Sequence, residues 1–203
     1  MQLHALLSPP QGKERVHRTR LYNEGMPRTL GYHLVKSCYG LWLPGDARGH
    51  WSDAWDEQIG FIEPHQLHPG DPVRLRMAQE RMTHPPVKLT AAMTAAVVRG
   101  IGACVAKSNF GLLVAAAAID HTHFHLLLPY TGRDIDRTAA WIADQTTKEV
   151  HSATAHVGPI WGKSSWKVFV FTHEHWDAAR CYIERHNVRN RLDARPYEWI
   201  TEY

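Results

Sequence analysis

The chain has 203 residues, enough for one domain with a core of its own, or one domain carrying a long insertion. Hydrophobic residues make up 44% and charged residues 21%, the balance of an ordinary globule, and no apolar run approaches the roughly 20 residues of a membrane span. A net charge of +3 allows nucleic-acid binding only through a local basic stripe, and three scattered cysteines (Cys38, Cys104, Cys181) with no Cys-x-x-Cys pair exclude a disulfide framework or a cysteine zinc module.

In chain order, residues 1–28 read as a flexible basic leader, with Pro9, Pro10, Gly12, Lys13, Arg15, Arg18 and Arg20. The stretch Met1 to Arg18 shows no basic segment followed by an apolar one, so secretion is not expected. A cytoplasmic, nucleoid-associated protein is the expectation. Residues 29–203 form the domain. Tyr32 to Leu43 alternates and is rich in aromatic and β-branched residues, which predicts a strand ended by Pro44-Gly45-Asp46. Residues 44–72 lack periodicity and read as an inserted loop carrying Trp51, Trp55 and Phe61. Val73 to Met82 is a short helix, and Thr90 caps a longer one running to about Asn109. Leu112 to Ile119 and His123 to Pro129 follow closely enough to form a hairpin. Asp134 to about Ser152 is helical with Trp141, Ile142 and Val150 inward. Trp166 to Phe171 is a strand, and Thr172 caps a last helix through Trp176, Tyr182 and Val188. This order predicts an α+β fold, ferredoxin-like, with an antiparallel sheet and helices on one face.

Fifteen histidines are many for this length, and histidine is the commonest metal ligand. The most informative run is Asp120-His-Thr-His-Phe-His-Leu-Leu-Leu-Pro129. Alternate strand residues share a face, so His123 and His125 point together while Phe124 and Leu126 enter the core. Two imidazoles on a rigid strand can hold a divalent cation and leave positions open for substrate oxygens. Pairing His121 with His123 is the rival register. On the last helix, Tyr182 and His186 are four apart and share a face one turn from each other. Arg185, Arg189 and Arg191 surround them with charge suited to phosphate. Two further pairs, His65 with His68 and His173 with His175, would serve an unrelated metal protein, but they have no partner nucleophile.

Taken together, the histidine–hydrophobic–histidine strand and the later Tyr182-Ile-Glu-Arg-His-Asn-Val-Arg189 resemble the HUH single-tyrosine transposases, most closely the REP-associated tyrosine transposases. The resemblance includes Gly31-Tyr-His-Leu-Val35, Tyr39-Gly-Leu-Trp-Leu-Pro-Gly-Asp46, Trp161-Gly162 and Trp166-Lys-Val-Phe169, and spans residues 29–192. It implies the HUH nuclease fold, with Tyr182 as nucleophile and His123 and His125 as ligands of Mg²⁺ or Mn²⁺. His186 stands where the family has Gln or Asn completing the metal site, and Asn187 replaces the usual proline. Three imidazoles favour Mn²⁺ over Mg²⁺ and would also admit zinc unproductively. The implied reaction is cleavage and rejoining of single-stranded, hairpin-containing (REP-like) DNA through a 5′-phosphotyrosine link, by a monomer or a homodimer. Lys163, Lys167 and Arg48 join the three arginines as candidate DNA contacts, and Trp166 is expected in the core. A relaxase or replication initiator of the same chemistry, and a domesticated hairpin-binding protein that no longer cuts, are the rival readings.

Overall fold

A computed structural model describes residues 28–49 and 69–203. Most of the leader, the insertion residues Trp51, Trp55 and Phe61, and the pair His65 and His68 lie outside the described residues.

The elements are β1 (Gly31–Ser37), α1 (Pro72–Glu80), α2 (Ala91–Lys107), β2 (Ala116–Ile119), β3 (His123–Pro129), α3 (Ile135–Ala153), β4 (Trp166–Val170) and α4 (His173–Arg189). The strands make one antiparallel sheet in the order β2-β3-β1-β4. With α2 and α3 as crossovers, this is the ferredoxin-like α+β arrangement. Helix starts are fixed by side chains that satisfy orphan amides: Thr90 accepts from Met93 N, Asp134 from Arg137 N and Thr172 from His175 N.

β1 stops at Ser37, earlier than its composition predicts. Cys38 leaves the ladder for an isolated bridge to Trp161, and Gly40 then turns the chain at φ +74°. β2 likewise starts only at Ala116.

The helices divide between the two faces of the sheet, a departure from the single covered face expected. Leu34, Phe124, Leu126, Leu128, Ala117 and Ile119 point to one side and pack with Val97 and Ile101 of α2 and Ile142 and Val150 of α3. Ala116, Ala118, Leu127 and Val170 point to the other and pack with Trp176, Ala179 and Ile183 of α4. Small alanines on both faces of β2 leave room for a helix on each side. Gly31 does the same beneath α4, since a Cβ there would come within 2.6 Å of the Trp176 ring. α4 is tied down at its other end by Asn187, which is 1% exposed. Its amide donates to the carbonyls of Ala117 on edge strand β2 and of Ala194 in the tail, at 2.8 and 2.9 Å. The tail then continues to Thr201, whose amide donates to Val114. No helix of the described residues is long and apolar enough to cross a membrane.

Candidate active site

The face of the sheet that carries α4 is apolar at one end and rich in histidine at the other. β1 and β3 pair with Val35 opposite His125 and Ser37 opposite His123, so both histidines share a face with His33, the diagonal neighbour of His125 on β1. Phe124, fully buried on the reverse face against Trp161, locks the strand between them. His121 lies outside the strand and is exposed; the 123/125 register is the one that forms.

Trp176, Ala179, Ile183 and Asn187 bury one stripe of α4. The adjoining stripe, with Tyr182 and His186, then faces the histidines. The Tyr182 ring lies 5.5 Å from that of His125 and 5.9 Å from that of His33, centroid to centroid. The His186 ring is 5.3 Å from those of both His123 and His125. One nitrogen from each of His123, His125 and His186 falls within 4.8 Å of the others, the one group of three or more potential ligands among the described residues. Tyr182 is 51% exposed, so its phenol can be reached from solvent while His125, at 5%, cannot.

Asp120, at the turn into β3, organises the cluster. Its Oδ1 accepts from the amides of Thr122 and His123 and from the Thr122 hydroxyl, at 2.6, 2.9 and 2.7 Å. The same carboxylate lies 3.1 Å from His123 Nδ1 and, through Oδ2, 3.1 Å from His186 Nε2. Burial by itself would raise the Asp120 carboxyl, but the hydrogen bonds from His123 and Thr122 outweigh it and hold the group well below the usual carboxylate range. Burial, then the neighbouring His123, His33 and His186, push His125 down to about 2. Burial and His175 push His33 down to about 4. Both imidazoles are therefore uncharged at neutral pH, the form that can ligate a cation.

Not every predicted residue joins this site. Arg185, Arg189 and Arg191 are exposed at the C-terminal end of α4. Lys167 points to the opposite face of the sheet, where it pairs with Asp136 of α3. Its register partner Leu34 belongs to the α2–α3 core, which excludes Lys167 from the phenol's side. Arg48 is engaged within its own loop, ion-paired to Asp46 at 2.7 Å and stacked 4.4 Å over Trp42. Lys163 is exposed just before β4. Trp166 is 41% exposed rather than core: β4 is an edge strand, and Trp166, opposite Val35, shares the histidine face. His173 and His175 are exposed at the start of α4 and belong to no ligand group among the described residues. His33 and Asp120 were missed as site residues. A histidine in the alternating segment Gly31–Ser37 was the available signal for the first, and an acidic residue opening the histidine run for the second.

Sheet and cluster together define an α+β protein in which a half-buried carboxylate backs a cluster of three imidazoles beside a solvent-accessible tyrosine. No protein-family model matches the chain, and no curated protein matches it. Among solved structures, it is similar to a REP-associated tyrosine transposase bound to a REP hairpin, with TM-score 0.41 and 11% identity, covering 82% of this chain and 72% of that one. It is also similar to a chain from Deinococcus radiodurans R1 described as a candidate transposase, with TM-score 0.35 and 14% identity, covering 80% of this chain and 94% of that one. Both likenesses are distant.

Proposed function

We propose that the protein is a transposase-like DNA strand transferase that cuts and rejoins single-stranded, hairpin-containing DNA through a 5′-phosphotyrosine link on Tyr182. The observation that carries the reading is the approach of the Tyr182 ring to within 5.5 Å of His125, on the face where His123 and His186 converge. A sequence motif on a strand and another on a helix thus meet in one place.

The donor set fits a divalent transition ion: three neutral-capable imidazoles close together, with a carboxylate behind two of them. Mn²⁺ suits it better than Mg²⁺, which prefers oxygen ligands. His123, His125 and His186 would hold the ion, which supplies positive charge against the phosphate oxygens as the phosphorus is attacked. A phenol is a poor nucleophile at pH 7, with an ordinary pKa of about 10. Positioning by α4 compensates in part: the helix is held to the sheet by the buried Ile183 and Asn187, which keeps the Tyr182 ring beside His125.

In the first step the Tyr182 oxygen bonds to the phosphorus and the bond to the 3′-oxygen breaks. The phenol proton passes to solvent and the departing 3′-oxygen takes one up. In the second, the 3′-OH of another strand end attacks the phosphotyrosine, and Tyr182 recovers its proton. One phosphodiester is exchanged for another, so no nucleotide cofactor is consumed. Arg185, Arg189 and Arg191 contact the backbone, and Trp166, exposed on the same face, offers a stacking surface for an unpaired base. Lys163 borders this surface. The reaction takes place on DNA in the cytoplasm.

The test is incubation of the full chain with single-stranded hairpin DNA and Mn²⁺, followed by denaturing gel and peptide mapping of the adduct. A covalent link on Tyr182, absent in Tyr182→Phe, supports the reading. Tight binding with no adduct would make the protein a hairpin-binding module instead. An adduct on another residue would remove Tyr182 from its role.

A further inference from the structure

His33 is not among the three residues whose nitrogens converge, yet its Nε2 lies 3.0 Å from His125 Nδ1. His125 Nε2 in turn lies 2.8 Å from His123 Nε2, and His123 Nδ1 faces the Asp120 carboxylate at 3.1 Å and the Thr122 hydroxyl at 2.7 Å. Four groups thus form a chain, and one end of it fixes the direction of every bond.

Asp120 is ionised and can only accept. The Thr122 hydroxyl already gives its single proton to Asp120, so it too accepts from the ring. His123 must therefore carry its proton on Nδ1, which leaves Nε2 as an acceptor. With one proton on each imidazole and no ion bound, His125 then donates from Nε2 to His123, and its Nδ1 accepts from His33 Nε2–H. The bonds run one way, from His33 to Asp120.

A cation held by His123 Nε2 and His125 Nε2 cannot coexist with that order. Nε2 of His125 must give up its proton to become a ligand, and a neutral ring then carries it on Nδ1. That N–H points at His33 Nε2, which must now accept. Resting on the proposed function for the presence of an ion, we infer that His33 is a positioning residue whose hydrogen bond to His125 reverses when a cation binds: donor without the ion, acceptor with it. A side chain able to do both is required at this position. Imidazole meets the need by changing tautomer, and a Gln amide meets it by rotating, whereas an apolar ring of similar size meets neither.

Two measurements on the full chain test this. Mn²⁺ affinity is measured by calorimetry for wild type, His33→Phe and His33→Gln, with thermal melts confirming that each is folded. The expected result is a 10–100-fold loss for Phe, the range for removing the outer partner of a ligating histidine, and a loss within about threefold for Gln. Long-range ¹H–¹⁵N spectra at pH 8, with Zn²⁺ as a diamagnetic probe, should show the His33 proton moving from Nε2 to Nδ1 on loading. Unchanged affinity in His33→Phe, equal losses in both folded variants, or one His33 tautomer in both states would each overturn the inference while leaving the proposed function standing. Failure of the wild type to take up Mn²⁺ would overturn both.

Discussion

Asn187→Ala should loosen the attachment of α4 to the sheet, and the size of the effect follows from the contacts. The amide makes two hydrogen bonds, at 2.8 Å to Ala117 and 2.9 Å to Ala194, from a fully buried position. Neutral bonds of this kind contribute about 1 kcal/mol each, and leaving a buried carbonyl dry adds about another 1 kcal/mol. The Asn187 Oδ1 is buried with no partner, so its removal returns part of that cost. A net loss of about 2 kcal/mol results, which for a chain of this length lowers Tm by roughly 4–8 °C. Asn187→Asp should lose more at pH 7, because it sets an acceptor-only charge against two carbonyl oxygens. Urea unfolding followed by tryptophan fluorescence gives both values, with Arg185→Ala as an exposed neighbour expected to stay within about 0.5 kcal/mol of wild type. If Asn187→Ala stays equally close, with an unchanged denaturant slope, the amide does not hold the helix and the account of how Tyr182 is positioned fails.

Ile183→Ala removes a fully buried side chain between Trp176 and Leu127, with an expected loss of 2–4 kcal/mol by the same assay, roughly the range for truncating a core aliphatic residue. Burial, and then Lys167, lower the Lys36 amine from 10.5 to about 8. A depressed amine disfavours the charged form in the fold, so the stability it withholds below pH 8 returns as pH rises toward 10.5. Lys36→Met should therefore gain on wild type most below pH 8, and that advantage should shrink by up to ~3 kcal/mol across the window; a difference flat with pH between 7 and 10 would show that Lys36 is solvated. On DNA, Arg189→Ala should weaken hairpin binding and reduce the salt slope by about 1, while Lys167→Ala, on the far face, should leave the slope unchanged; equal effects would move the binding surface. Chelation of divalent ions should abolish adduct formation and Mn²⁺ should restore it, and an undiminished reaction in excess chelator would remove the ion from the chemistry.

Much of the fold was legible because its signals are local. The histidine–phenylalanine–histidine run and the leucines after it set the bounds of β3, and Thr90 and Thr172 marked two helix starts by the side-chain oxygens that cap them. What escaped was non-local. His33 becomes a neighbour of His125 only through the β1–β3 register, which no periodicity within Gly31–Ser37 contains. Trp166 looked like core by residue type, and only the strand order, which puts β4 at an edge, exposes it. Lys167 was a candidate DNA contact, yet it sits beside Trp166 on β4, and adjacent strand residues point to opposite faces. Asn187 reads as a missing proline until the tail and the edge strand are seen to share its amide.

Asp120 and His186, joined by a hydrogen bond, are 66 positions apart in the chain, and the whole of α3 and β4 lies between them. A cation gripped by β3 and α4 would therefore tie the two ends of a long loop together in the folded state alone, since the unfolded chain does not assemble the site. Each tenfold rise in free ion above its dissociation constant should add about 1.4 kcal/mol to the folded state, so the melting temperature itself becomes a titration of the site.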